Sequence, residues 1–344
     1  MSRYILRRVL QAIPLLFIVS IILFVLMQNM GDPVATMGGR RATRPADRER
    51  LTRQLGLDQP MYRQYLYWLI GNDWERIDMD GDGVGETPGT RKGVLRGDFG
   101  MSLMKRGQTA WEVIWDRIPN TLLLMVTAEI VIIVFALLIG IFSALRQYSL
   151  ADHAITAISF IGYSTPIFFF ALLAIYIFSV NFKRWGLPSL PAVGMFDPQV
   201  GKTPSQVALH MILPVLTIAF VSIAAYSRYI RSTMLEVMNQ DFIRTAKAKG
   251  LASRQVIFVH ALKNASLPIV TLIGLDLALL MGGALVTERI FAWPGMGRLF
   301  LDHVLRFDTP VVMGILIILS VSVIVFQIIT DLTYAVLDPR IRYE

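Results

Sequence analysis

The chain contains no cysteine and only four histidines, His153, His210, His260 and His303. The first absence excludes disulfides, thiolate metal sites and cysteine nucleophiles, and leaves the redox compartment undefined. The histidines are scattered, with neither an H-E-x-x-H pair nor a nucleophile elbow, so no catalytic residue is assigned. A phosphate-cradling loop is missing as well. Its nearest fragment, Gly201-Lys202-Thr203, has Phe196 where the first glycine would stand, so any nucleotide chemistry belongs to another chain. Charge, too, is missing over long stretches. Val9 to Gly31, Ala154 to Phe182, Thr203 to Ser227 and Thr309 to Thr330 carry no charged residue.

What is present fits those absences. The 344 residues are 54% hydrophobic and their mean hydropathy is +0.55, a composition suited to a bilayer. The net charge of +8 comes from basic residues in the gaps between apolar runs, where anionic lipid headgroups attract them, and implies no nucleic-acid partner. About 20 apolar helical residues cross a bilayer. The four uncharged runs satisfy this, and Ile118 to Leu145 and Asn264 to Thr287 satisfy it with one carboxylate each, Glu129 and Asp276. Six transmembrane helices are expected in an all-α integral membrane protein. The first follows a basic stretch, Arg3, Arg7 and Arg8, but its apolar run is longer than a signal peptide's and no cleavage site follows, so it is read as retained.

Basic residues concentrate on the cytoplasmic side of membrane proteins, which places both termini there. The segment from Ser227 to Lys263 is then cytoplasmic, and carries Arg228, Arg231, Arg244, Lys247, Lys249, Arg254 and Lys263 against Glu236 and Asp241. The expected organisation is 1–31, tail and first helix; 32–117, an extracytoplasmic segment; 118–337, a five-helix core with the loop at about 227–263; and 338–344, a cytoplasmic tail. Within the loop, Asp241 to Gly250 predicts a short helix, with Phe242, Ile243 and Ala246 within about 100° of one another. Gly250 suits the left-handed position that ends it, and Ser253 suits the cap of a second helix reaching Lys263. Composition alone leaves this loop divided between lipid contact and protein docking.

Several blocks are similar to one family. Ser227-Arg228-Tyr229-Ile230-Arg231, Asp241 to Gly250 and His260 to Ala265 resemble the EAA loop of ABC importer permeases, and more narrowly that of the first permease subunit of the dipeptide and oligopeptide importers. Leu55 to Pro60, Gly97-Asp98-Phe99-Gly100-Met101-Ser102, Ser164-Thr165-Pro166-Ile167-Phe168, Glu288-Arg289-Ile290-Phe291, Trp293-Pro294-Gly295-Met296-Gly297 and Asp331 to Tyr343 extend the resemblance along nearly the whole chain. It departs from the general loop pattern in having Arg244-Thr245-Ala246 where Glu-Ala-Ala is usual. The resemblance implies the six-helix type I importer permease fold in a bacterial or archaeal cytoplasmic membrane. It also implies a second homologous permease, two cytoplasmic ATPase subunits holding ATP and magnesium, an extracytoplasmic binding protein and no cofactor in this subunit. Arg244, Thr245, Ala246, Lys247, Ala248, Lys249 and Gly250 take the ATPase-coupling positions, with the apolar face expected to bury against the ATPase. Peptides are the expected solute, although related permeases carry nickel, glutathione, opines or oligosaccharides.

Three features stand beside the resemblance. Charge near mid-span is costly, so Glu129 and Asp276 either line a translocation path or rest at helix interfaces. They would also serve as proton carriers in the alternative reading, a stand-alone ion-coupled transporter. Gly282 and Gly283 permit close backbone approach, for packing or for a gate. Asp78, Asp80, Asp82 and Glu86 follow the opening of a calcium-binding EF-hand loop, but Gly89 holds the twelfth position, leaving a calcium site and a solvated turn as alternatives.

Overall fold

The structure is a computed structural model that describes residues 2–30, 49, 52–53, 56–78, 84–280 and 282–337. Its helices, in chain order, are α1 (Ser2–Met30), α2 (Met61–Ile70), α3 (Ala110–Trp115), α4 (Ile118–Leu145), α5 (Leu150–Ser164), α6 (Ile167–Arg184), α7 (Pro204–Met238), α8 (Asp241–Ala248), α9 (Ser253–Ala265), α10 (Leu267–Leu280), α11 (Leu285–Ile290), α12 (Met296–Val304) and α13 (Thr309–Leu337). A two-residue hairpin, β1 (Arg76–Ile77) with β2 (Thr87–Pro88), pairs antiparallel. Among the described residues, five stretches are long and apolar enough to cross a membrane: Leu6–Asn29, Ala110–Leu145, Ile167–Arg184, Pro204–Met238 and Thr309–Tyr334. A sixth follows if Ser253–Ala265 and Ile269–Leu279, bent by 54°, form one span.

The first helix begins earlier than expected, at Ser2, and the last runs on to Leu337; three other expected spans differ in where they break or end. Ala154 to Phe182 is not one helix, because α5 stops at Ser164 and α6 starts at Ile167. The proline ring of Pro166 pushes Thr165 out of the helical region, to φ −84° and ψ 124°. The fourth helix passes Ser227 and runs to Met238 with Pro214 inside it. Its charges do not end it, since Arg228 lies 4.9 Å over the Phe160 ring and 5.0 Å over that of Tyr163. The fifth ends at Leu280, short of Thr287.

Contacts divide the chain into two compact units. The first comprises residues 1–8, 119–298 and 322–344. Its core is built on the four-residue spacing of Leu124, Ala128, Ile132 and Ala136 along α4, packed with Val215, Ile218, Ala219 and Ile230 of α7 and with Val256, Ala261 and Ala265 of α9. Gly140 continues that line. A β-carbon there would lie 2.7 Å from Cβ of Ile230 and 2.8 Å from the Ser227 carbonyl oxygen, so the close approach of α4 and α7 requires glycine. The opposite side of α4 exposes Leu123, Val126, Ile130, Val134 and Leu138, as a lipid-facing surface does.

The second unit comprises residues 9–118 and 299–321. Phe24, Tyr65 and Trp68 form an aromatic cluster with centroids 5.4 to 5.8 Å apart. Thr109 and Glu112 close a reciprocal capping box at the start of α3. Fully buried Asp308 accepts from Ser102 Oγ at 2.5 Å and from the N–H groups of Leu103 and Met104 at 3.0 and 3.2 Å.

Candidate coupling helix and membrane-buried polar sites

Helix α8 begins with Asp241 in its first turn and has Lys247 in its last, each charge complementing the helix dipole. It ends in a Schellman motif. The Gly250 N–H donates to the Lys247 carbonyl at 3.0 Å, and that of Leu251 to the Ala246 carbonyl at 3.3 Å, with Gly250 at φ +75°. The expected end at Gly250 is therefore observed. The expected apolar face is not. Ile243 and Ala246 are buried in the core of their own chain, whereas Phe242 is 44% exposed. Phe242, Arg244, Thr245, Lys247, Ala248 and Lys249 make up the exposed surface. The α9 cap also differs, because the helix starts at Ser253 itself and Ala252 precedes it without a side-chain bond. Turns widen to π geometry over Val256–Ala261.

The two mid-span carboxylates lie within electrostatic reach of each other. Asp276 of α10 accepts a hydrogen bond of 2.6 Å from the Tyr226 hydroxyl of α7, and Glu129 of α4 interacts electrostatically with Asp276. Glu129 is 5% exposed, and its Oε1 has no hydrogen-bond partner among the described residues. Three helices thus place two carboxyls and a phenol in one buried cluster.

Gly282 and Gly283 lie beyond the end of α10, and Gly283 takes φ +73°. A β-carbon on Gly283 would lie 2.5 Å from Oε1 of Glu288 and 2.6 Å from the Gly297 nitrogen. One on Gly295 would also overlap the Glu288 carboxylate. Fully buried Glu288 accepts from Thr121 Oγ1 at 3.0 Å and from the Arg298 N–H at 2.9 Å. The Met296 N–H donates to Thr121 Oγ1 at 2.7 Å, and Trp293 Nε1 to the Asn120 carbonyl at 2.9 Å. A carboxylate collared by glycines therefore fastens the 283–298 segment to the start of α4. Sequence reasoning missed this role, although the glycines of Trp293-Pro294-Gly295-Met296-Gly297 carried a signal for it.

A second unforeseen site joins α4, α5 and α7. Arg231 Nε and Nη2 donate to Asp152 Oδ1 and Oδ2 at 2.8 and 2.7 Å, the Tyr148 N–H donates at 2.9 Å, and the Ser143 hydroxyl adds a short bond. Asp152 is 2% exposed. The Arg231 guanidinium holds its carboxyl well below the usual carboxylate range despite burial.

Asp78 and Glu86 lie just outside β1 and just before β2, with the Glu86 N–H donating to the Ile77 carbonyl at 3.3 Å. Asp80 and Asp82 fall outside the described residues. Among the described residues no group of three or more acidic or histidine side chains could hold a metal ion.

Comparison with known proteins decides the family. Residues 136–343 match the binding-protein-dependent transport system inner membrane component, and residues 1–125 match the N-terminal part of such membrane components. The chain belongs to this family. As such an inner membrane component it is a multi-pass membrane protein and a transport subunit, not an enzyme; the ATPase of these systems is a separate subunit. It is similar to the oligopeptide transport system permease protein AppB of Bacillus subtilis (strain 168), at 40% identity with both chains fully covered. The dipeptide transport system permease protein DppB of Escherichia coli (strain K12) is 36% identical, and the di/tripeptide transport system permease protein DppB of Pseudomonas aeruginosa (strain UCBPP-PA14) 35%, again over the whole of both chains. These relatives bear out the resemblance carried by the sequence blocks, and they give no support to a stand-alone ion-coupled transporter.

Proposed function

We propose that this inner membrane component forms half of the pathway through which an ATP-driven importer carries peptides. A second homologous permease forms the other half, two cytoplasmic ATPase subunits supply ATP and magnesium, and an extracytoplasmic binding protein delivers the solute. Both termini and α8 face the cytoplasm. Helix α8 is the coupling element, with Arg244, Thr245, Lys247, Ala248 and Lys249 meeting the ATPase while Ala246 roots the helix and Gly250 ends it. The observation that supports this most is the division of α8, which packs Ile243 and Ala246 inward and leaves a short basic strip uncovered. The peptide assignment rests on the printed names of relatives aligned over the full length. Glu129 and Asp276 join α4, α7 and α10 beside the path, and Gly282 and Gly283 let the chain turn tightly there. A calcium ion on Asp78, Asp80, Asp82 and Glu86 would stabilise the extracytoplasmic loop.

Uptake of a labelled tripeptide by cells that depend on this importer tests the whole reading. Uptake should vanish on ATP depletion and survive an uncoupler. The reverse pattern would establish ion coupling, and peptide uptake unaffected by deletion of the chain would remove peptides as its cargo. Calorimetric titration of the full chain with calcium tests the loop, and no heat at millimolar metal defeats that site.

A further inference from the structure

The second unit encloses a cavity of about 530 Å³, within the range of small-molecule sites. Aromatic and aliphatic groups, among them Phe24, Trp68, Phe99 and Met313, form most of its wall. Most of its polar groups are engaged, Gln28 with Gln64 and Thr309 with the Phe307 carbonyl among them. The Gln64 amide donates to the Leu57 and Gln59 carbonyls at 3.2 and 2.7 Å, and the Tyr67 hydroxyl donates to Glu75 at 2.6 Å. Ser102 Oγ donates to Asp308 at 2.5 Å. Asp98 is held by the Lys92 N–H on Oδ2 at 2.8 Å and by the Gly100 N–H on Oδ1 at 2.9 Å.

One cationic group on its wall remains unanswered. The Arg91 guanidinium makes no hydrogen bond among the described residues, and Asp98 reaches it through electrostatic attraction only. Arg91 is held by its backbone, whose N–H donates to Asn72 Oδ1 at 3.0 Å and whose carbonyl accepts from the Asn72 N–H at 2.9 Å. Burial disfavours its charged form and Asp98 favours it. A guanidinium carries five donors and stays protonated, and half-burying it without an acceptor is costly. The cavity therefore has an excess of donors on one guanidinium, set in a largely apolar wall with a single carboxylate, Asp98, nearby.

We infer that this cavity binds the carboxylate end of a short peptide, with the Arg91 guanidinium as the donor and the aromatic wall receiving the terminal apolar side chain. A planar carboxylate suits the fork of a guanidinium, taking one N–H on each oxygen. Fixed by two backbone N–H groups, Asp98 limits the repulsion it exerts and is placed to meet a positive group farther along the ligand. The choice of a peptide among carboxylates rests on the proposed cargo; the excess of donors does not.

Titration of the full-length chain in nanodiscs, without ATPase or binding protein, tests this separately from transport. The probes are Ala-Phe, its C-terminal amide and octanoate. Ala-Phe should bind saturably and at least ten-fold tighter than the amide, and octanoate should compete weakly. In R91Q the preference for acid over amide should disappear while residual binding of the amide remains, which a misfolded protein would not retain. R91K should recover part of the preference. Equal binding of acid and amide by the native chain overturns the inference, as does an unchanged preference in R91Q. Strong binding of octanoate without Ala-Phe makes the site one for fatty acids and overturns it too. Loss of peptide uptake in cells with normal binding in nanodiscs would fault the cargo assignment alone.

Discussion

Arg231 grips Asp152 through two parallel hydrogen bonds of 2.8 and 2.7 Å, which tie a charged residue of α7 to the N-terminal turn of α5. The aspartate is almost wholly buried, so removal of the arginine would leave an uncompensated carboxylate. Such losses cost about 3 to 5 kcal/mol. Arg231→Met should destabilise the purified chain by roughly 3 kcal/mol in denaturant titration, whereas Arg231→Met with Asp152→Leu should regain most of that. If the double variant is no better than the single, the pair is not the cause. The sign with pH follows from the depressed carboxyl: its contribution holds at neutral pH, above the ordinary aspartate value, and is lost only in strong acid.

The collar around Glu288 predicts sensitivity to the smallest possible change. Gly295→Ala adds one methyl group that meets the buried carboxylate, and should cost about 1 to 3 kcal/mol or more by overpacking. Gly297→Ala meets the same oxygen at 3.2 Å but the Leu285 backbone at 2.8 Å, so it should be disruptive as well. Thr121→Val removes a donor from Glu288 and an acceptor from the Met296 N–H, and should lower the melting temperature without changing the amount of chain inserted. Unaltered melting in Gly295→Ala would show that the segment yields freely.

For α8, position decides the defect. Gly250 has φ +75° and open space around it, so Gly250→Val strains the backbone without a clash. Peptide uptake should be lost while membrane insertion is kept. Ala246→Glu should produce the same loss for another reason, because the new charge enters the chain's own core. Lys247→Glu, on the exposed strip, should instead weaken ATPase binding in a salt-dependent way. Normal uptake in all three variants would remove α8 from the transport cycle.

Tyr67 offers a titration. Burial, reinforced by the hydrogen bond to Glu75, pushes its phenol up to about 12. The stabilisation this represents is fully present below the ordinary tyrosine value near 10 and is lost as pH rises toward about 12. One tyrosine absorbance change should therefore appear late in an alkaline titration and be missing in Tyr67→Phe. Its appearance near the ordinary value in the native chain would contradict the buried, bonded phenol.

Much of the fold was legible because a bilayer imposes length and apolarity on every span. Ile118 and Leu145 bound α4 as expected, Thr203 caps α7 by accepting from the Gln206 N–H, and Gly250 ends α8. What was not legible depended on partners far away in sequence. Ser227 looked like an end because arginines follow, but Arg228 and Arg231 find an aromatic pair and a carboxylate that keep them within a helix. Helical spacing placed Phe242, Ile243 and Ala246 on one side without revealing which of them the chain itself would cover. Glu129 and Asp276 were visible one at a time as charges in apolar runs. Their approach to each other near Tyr226 depends on how three helices pack.

The inward rooting of α8 has a mechanical consequence. Ile243 and Ala246 share one packed core with Leu124 of α4, Ile230 of α7 and Ala261 of α9, and close-packed interiors have low compressibility. On the proposed coupling role, a partner that tilts the exposed strip pulls on a rigid handle, and little of its stroke is absorbed at a joint. Trimming Ile243 would introduce backlash: the partner would still grip and still cycle, but part of each stroke would be spent taking up slack before the long helices moved.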